Sequence, residues 1–397
     1  MNKTGSPILY ILDDDKQYAN LLQKVAEKAG WQVVNEQSAL NFINKPLPQD
    51  LVLVLDLMMP ALDGIEVIRH LIKKQLNITL ILISGVDQRT LHSAQVLAQA
   101  YDVNVITSFT KPVSLKRFTE AINSISQSST TQQKSDALYL PSAQEITDAI
   151  LKKEFVVYYQ PQVNFNSNTL CGLEALVRWV HPDHGFITPD RFISTAEKEG
   201  VIHLLTHEIV SIVAKDSNVI NAYFQKDIHL SINISAKDIT SLSLPEQLDS
   251  LLKEHSIKPE NITFEITESA VMEDLTAFLD VLNRLSLKGF SLSIDDFGTG
   301  FSSLSLLYQA PFTGLKIDQS FVARMLDDRE AMIIVEICIL LAKKLKMKVI
   351  AEGVESIEVW DKLNTLECDI AQGYFIGKPM AIEQFFKWHS TWVRRDN

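Results

Sequence analysis

The sequence predicts an α/β protein of two successive units: an N-terminal doubly wound (flavodoxin-like) sheet and a C-terminal modified TIM (β/α)8 barrel with one antiparallel strand. Three observations carry this. Short apolar runs alternate with helical patterns throughout the 397 residues, and nearly every run ends in polar residues. One stretch, NSISQSSTTQQKS at 123–135, has almost no large apolar side chain and cannot bury enough surface to fold. Beyond it, eight strand candidates follow within about 250 residues, the size and count of a closed barrel. The expected boundaries are 1–123 for the first unit, 124–140 for a flexible connector and 141–397 for the barrel.

Composition narrows the function. Against 37 basic residues stand 49 acidic ones, a net charge of −12. That disfavours a nucleic-acid coat or a polybasic membrane anchor, since both need a concentrated positive field. An anionic substrate would then need local cations, such as metal ions. Cys171, Cys338 and Cys368 are widely spaced and form no CxxC pair, as expected of incidental thiols in a reducing compartment. The first apolar run is too short for a signal peptide, and the longest later one, Ile337 to Ala342, is far below membrane-spanning length. These features predict a soluble cytoplasmic protein, in which the Asn-x-Ser/Thr triplets at Asn233 and Asn261 are chance matches.

In the first unit, Ile8 to Leu12 reads as a strand, followed by Asp13, Asp14 and Asp15 and a helical pattern closed by Gly30. Leu51 to Leu55 is nearly unbroken, as a strand covered on both faces should be, and ends at Asp56. Leu80 to Ile83 ends at Ser84-Gly85, and Val103 to Ile106 leads towards Lys111-Pro112. A parallel sheet gathers ligands at the carboxyl ends of its strands. Singly, each of these polar residues is an ordinary loop residue or cap. Together they suit a hard divalent cation such as Mg²⁺, with Asp56 placed to accept a phosphoryl group.

This ordered set, with DLMMPALDG at Asp56 to Gly64, resembles the receiver domain of two-component response regulators. The resemblance implies Mg²⁺ at Asp13, Asp14 and Asp56, phosphorylation of Asp56 by a histidine kinase, and Ser84 and Lys111 reading the phosphoryl oxygens. Receivers usually carry an aromatic switch residue three before the lysine. Here that position is Ser108, and Phe109, one residue on, faces the other side of a strand.

The second unit starts with a helical pattern, Pro141 to Lys153. Phe155 to Gln160 and Cys171 to Val177 are separated by too few residues for a crossover helix, so they predict an antiparallel hairpin. Six further runs follow: His229 to Ser235, Ile262 to Glu268, Phe290 to Asp296, Gly314 to Asp318, Lys348 to Glu352, and Cys368 to Gly373. Their ends carry Gln160, Glu174, Asn233, Glu265, Asp295 with Asp296, Lys316 with Asp318, Glu352 and Gln372. In SLSIDDFGTG, strand alternation would point Asp296 away from Asp295 unless the backbone bends, and Gly298 and Gly300 supply that freedom. So many carboxylates on one rim repel unless cations lie between them. Oxygen ligands without Cys or His favour Mg²⁺ or Mn²⁺ over zinc. Two such ions about 3.5–4 Å apart would clamp a phosphodiester.

Glu174-Ala175-Leu176, YYQP before it, NIS at Asn233, FEITE at Phe264, DDFGTGFSSL at Asp295, LKID at Leu315, AEGVE at Ala351 and QGY at Gln372 resemble the EAL domain of cyclic-di-GMP phosphodiesterases, over roughly 141–390. The resemblance implies hydrolysis of cyclic-di-GMP to linear pGpG with two Mg²⁺ or Mn²⁺. Glu174, Asn233, Glu265 and Asp295 would hold one metal, while Asp295, Asp296 and Glu352 would hold or orient the second and its water. It also implies Glu352 as general base and Lys316 as the cation that orients water and stabilises phosphoryl charge. Gln160, Arg178, Asp318, Glu355 and Gln372 would contact substrate or support those that do, and Glu268 would pin the DDFGTG loop. The family suggests a homodimer or a higher homo-oligomer. Phe301, where Tyr is common, and Ile376 to Lys378 are slight departures that remove no metal ligand. An enzyme is therefore expected; the alternative is a catalytically weak domain acting as a cyclic-di-GMP receptor or a protein-interaction output. No basic recognition helix follows the receiver, which disfavours a DNA-binding output. His181 and His184 read as turn residues, Gly298-Thr299-Gly300 lacks the ending of a phosphate-binding loop, and Trp360, Trp388 and Trp392 read as packing.

Overall fold

The computed structural model describes residues 7–85, 88–99, 101, 103–130, 139–267, 274–299 and 304–392. The chain divides into two compact units, Met1–Ala137 and Leu138–Asn397.

The first unit has five parallel strands: β1 (Ile8–Leu12), β2 (Gln32–Glu36), β3 (Asp50–Asp56), β4 (Asn77–Ser84) and β5 (Asn104–Thr110), in the order β2-β1-β3-β4-β5. The order reverses between β1 and β3, so the carboxyl ends of those strands border the crevice where doubly wound sheets bind ligands. The sequence reading anticipated four of these strands. The fifth, β2, is a short edge strand, QVVNE, with two apolar residues and no buried one. One further expectation is corrected. The connector expected from residue 124 begins as helix, since the helix Leu115–Thr130 continues into it. Phe118, Ile122 and Ile125 recur at helical spacing and are buried against the sheet, which holds this helix in place beyond the polar composition of its tail.

Among the described residues, the second unit is a nine-stranded sheet closed on itself. Its strands are β6 (Phe155–Asn164), β7 (Leu170–His181), β8 (Gly185–Ile187), β9 (Leu230–Asn233), β10 (Ile262–Thr267), β11 (Ser291–Phe297), β12 (Gly314–Ile317), β13 (Lys348–Ala351) and β14 (Ile370–Gln372). β6 runs antiparallel to both β7 and β14 and closes the barrel. β8 is an added hairpin strand on β7. Gln160, expected at a strand end, is instead mid-strand: β6 continues through Pro161 to Asn164, paired with β7 on one side and β14 on the other. The barrel core is one continuous apolar cluster of strand and helix residues, including Trp179, Phe264, Phe278 and Phe385. No helix among the described residues is long and apolar enough to cross a membrane.

Candidate active site

At the carboxyl end of the barrel, β7, β10, β11 and β13 deliver their acids to one lysine on β12. Lys316 is fully buried on β12, and its Nζ lies 2.6 Å from Glu265 Oε2, 2.7 Å from Glu352 Oε1, 3.1 Å from Asp295 Oδ1 and 3.5 Å from Glu174 Oε1. Two triads of carboxylates share Asp295: Glu174, Glu265 and Asp295, and then Asp295, Asp296 and Glu352. Within each triad the oxygens lie within 4.8 Å of one another.

The second triad depends on backbone shape. Asp296 has φ 54° and Gly298 φ 102°, both in the left-handed region. Asp tolerates that region better than most residues, at a cost of about 1–3 kcal/mol. The bend breaks strand alternation, and the pairing of β11 with β12 slips between Ile294 and Phe297. Asp296 is thereby turned onto the same side as Asp295.

Burial dominates the electrostatics. It raises Glu265 well above the usual carboxyl range, with Lys316 opposing and the Glu174 and Asp295 charges adding. It raises Glu352 to about 8, with Lys316 opposing and Asp295 and Glu174 adding. Asp296 rises to about 6 by burial and the charges of Asp295 and Asp318. Burial also pushes Glu174 up, but Lys316 and hydrogen bonds from Gln372 and Asn233 outweigh it and hold its carboxyl below the usual range. Lys316 itself is held well above the usual amine range, because the surrounding acids overcome its own burial. Glu265 Oε1 is buried and has no hydrogen-bond partner. Unpartnered acceptors of this kind are rare and call for an explanation. An orphaned oxygen inside an all-oxygen donor set fits a hard divalent cation.

In the first unit, Lys111 Nζ lies 2.8 Å from Asp13 Oδ2 and 2.7 Å from Asp56 Oδ2, both buried acids. Asp14 is exposed, and the oxygens of Asp13, Asp14 and Asp56 also fall within 4.8 Å of one another. Asp56 Oδ1 accepts from the Met58 amide at 3.0 Å, and Ser84 is fully buried at the end of β4. Burial raises Asp13, with Lys111 opposing. Ser108 Oγ donates to Gln95 Oε1 at 2.9 Å on the helix Gln88–Gln99, whereas Phe109 packs into the apolar cluster of Phe118 and Ile122.

Comparison with known proteins matches the EAL domain model over residues 143–379 and the response regulator receiver domain model over 9–123. The chain belongs to the EAL domain family. It is 30% identical over 338 residues to the cyclic di-GMP phosphodiesterase RocR of Pseudomonas aeruginosa, spanning 85% of this chain and 86% of that protein. It is 35% identical over 240 residues to the bifunctional diguanylate cyclase/cyclic di-GMP phosphodiesterase MucR of the same organism, spanning 60% of this chain but only 35% of that longer protein. Among solved structures, the cyclic-di-GMP complex of the MucR phosphodiesterase superposes with a TM-score of 0.58 at 35% identity, covering 61% of this chain and 98% of that one. The EAL enzyme Bd1971, bound to cAMP and cyclic-di-GMP, gives 0.59 at 34% identity and covers 77% of each chain.

Beside the acids of the EAL domain lies a cavity of about 450 Å³, lined by Gln160, Arg178, Glu355 and Gln372 together with Glu174, Asp295 and Glu352. The sequence reading missed Leu176, Gln319, Tyr374 and Pro379, which also line it. Leu176 and Tyr374 sit inside the motifs EAL and QGY, and that was the available signal. Tyr374 is half exposed, and Lys378 Nζ stands 5.0 Å from its ring centroid. Asn233 Nδ2 donates to Glu174 Oε1 at 2.7 Å. Asp318 stands apart from this cavity: its Oδ1 caps the helix Gln319–Val322 through the Ser320 amide at 2.9 Å, and its charge helps raise Asp296. Glu268, Gly300 and Phe301 lie outside the described residues.

Proposed function

We propose that this protein is a response regulator that hydrolyses cyclic-di-GMP to linear pGpG, with turnover set by phosphorylation of Asp56 by a histidine kinase. The observation that carries the reading is the pair of acid triads sharing Asp295 around a buried lysine, one oxygen of which is unpartnered. Relatives named as cyclic-di-GMP phosphodiesterases, one of them spanning both domains, supply the substrate class.

In this reading Glu174, Asn233, Glu265 and Asp295 hold one Mg²⁺ or Mn²⁺, and Asp295, Asp296 and Glu352 hold the second. When bound, such ions supply a nucleophile at neutral pH and stabilise the charge on the attacking and leaving oxygens. Glu352, 2.7 Å from the lysine, takes the proton of the attacking water as general base. Lys316 acts as a point cation towards the phosphoryl oxygens. Gln160, Arg178, Glu355 and Gln372 line the cavity that receives the nucleotide, and Asp318 acts on Asp296 through its charge. In the receiver, Asp13, Asp14 and Asp56 hold one Mg²⁺, with Ser84 and Lys111 positioned for the phosphoryl group.

A homodimer completes the proposal. The helix Arg329–Lys344 leaves Ile333, Ile337 and Leu340 exposed at 41%, 56% and 56%, one row at helical spacing that a second copy would cover.

The test is incubation of the purified full chain with cyclic-di-GMP and Mn²⁺ or Mg²⁺, wild type beside Glu352→Gln, with products separated by chromatography. Linear product from wild type alone supports the reading. Binding without product in wild type makes the protein a receptor instead. A phosphoryl donor should change the wild-type rate and leave Asp56→Ala unchanged; identical rates in both would remove the regulatory part.

A further inference from the structure

We infer that Gln162, a residue outside the substrate cavity, is a positioning residue that fixes Glu174 through a buried relay of amides. The inference rests on the reading of Glu174 as a metal ligand.

The relay is built by strand register. Gln162 on β6 faces Gln372 on β14 across one antiparallel pair and Gly172 on β7 across the other, while Gln160 faces Glu174. Gln160, Gln162, Gln372 and Glu174 are each less than 9% exposed. Gln372 Nε2 donates both to Glu174 Oε2 and, at 3.0 Å, to Gln160 Oε1. Gln160 Nε2 donates in turn to the Gly377 carbonyl at 3.1 Å. Gln162 Nε2 donates to Gln372 Oε1 at 2.9 Å.

The direction of this chain is set by chemistry. An ionised carboxylate only accepts, so Gln372 must turn its NH₂ towards Glu174. Its carbonyl oxygen is then aimed at β6, where a buried donor has to meet it, and Gln162 supplies that donor. Were the Gln372 amide reversed, its oxygen would face the carboxylate, and Glu174 would lose the donor that fixes its Oε2 in place. Room for the relay comes from Gly172, where a Cβ would fall 2.9 Å from Gln162 Oε1. Groups one step behind a ligand typically change metal affinity or activity by about 10–100-fold.

Two substitutions separate the donor from the bulk. Gln162→Glu keeps the shape and puts an acceptor where the donor stood; Gln162→Met keeps the length and offers no donor. Manganese affinity is measured by calorimetry on the full chain without substrate, and the manganese dependence of cyclic-di-GMP hydrolysis gives the half-saturating concentration and kcat separately. Thermal melts verify folding. Both variants should bind manganese more weakly, Gln162→Glu by about 10-fold or more and Gln162→Met by less, while kcat at saturating manganese stays within about 3-fold of wild type. If Gln162→Glu fails to fold, Gln162→Met decides alone. Wild-type manganese affinity in a folded variant overturns the inference and leaves the phosphodiesterase reading standing. A wild type that neither binds manganese nor hydrolyses the nucleotide overturns both.

Discussion

Each half of this chain gathers carboxylates around one lysine, and the two gatherings differ in depth and in charge. In the receiver, Lys111, 22% exposed at its side chain, faces Asp13 and Asp56, with Asp14 at the surface. One ammonium among three carboxylates leaves two negative charges, the amount one divalent ion neutralises. In the barrel, fully buried Lys316 pairs with Glu174, Glu265, Asp295 and Glu352, and Asp296 is the fifth acid, in the second triad. One ammonium among five leaves four charges, the amount two divalent ions neutralise. In the receiver, burial raises Asp13 and Lys111 opposes it. In the barrel, burial raises Glu265, Glu352 and Asp296, so each keeps its proton to higher pH than an ordinary carboxyl.

The comparison breaks most readily at the shared ligand. Asp295→Asn removes a donor from both triads, and kcat for cyclic-di-GMP should fall by about 10³-fold or more, about 4 kcal/mol of barrier. Asp56→Asn in the same assay should leave the basal rate within about 2-fold, because it touches no barrel acid; a comparable loss there would show that the sites are not independent. Next in size are the lysines. Lys316→Met strands four carboxylates, three of them buried, without their cation, and breaking a buried pair costs about 3–5 kcal/mol. Denaturation of the metal-free chain should show that loss in the barrel transition, and Lys111→Met should cost the receiver less. Equal costs would refute the difference in depth.

Acidity gives a subtler contrast. Glu352 and Asp296 are raised to about 8 and about 6, so folded barrel holds protons that the unfolded chain has released. The stability this contributes is complete below the ordinary carboxyl range, near pH 4, and is lost as pH rises through 6 and 8. The thermal midpoint of the metal-free barrel should therefore fall across that window, and manganese should restore most at its upper end. A flat profile would contradict the burial argument. The smallest effect expected is that of Ser108→Ala, which deletes one hydrogen bond to Gln95 and should cost the receiver about 0.5–1.5 kcal/mol by denaturant titration.

How much of this was legible beforehand depended on where each signal lay. The fold followed from apolar runs and their polar ends, and β2 escaped because an edge strand with two apolar residues leaves almost no pattern. Helix Leu115–Thr130 overran the expected connector because Ile125, a single buried residue in a polar stretch, anchors it. The acids of the barrel were readable because they follow apolar runs, although Glu174, expected at a strand end, lies mid-strand in β7 opposite Gln160, and the bend at Asp296 was readable because glycine follows it. Gln162 was not. Its importance arises from pairing with Gln372, 210 residues away, and no local pattern encodes a cross-strand partner.

The matching of metal charge to uncompensated acid is tested most directly by counting ions. Equilibrium dialysis of the full chain against manganese near pH 8.5, above the raised values of Glu352 and Asp296, should give three ions per chain, and two for Asp56→Ala. One ion or none in the wild type, or a full complement of three surviving in Asp56→Ala, would contradict the account.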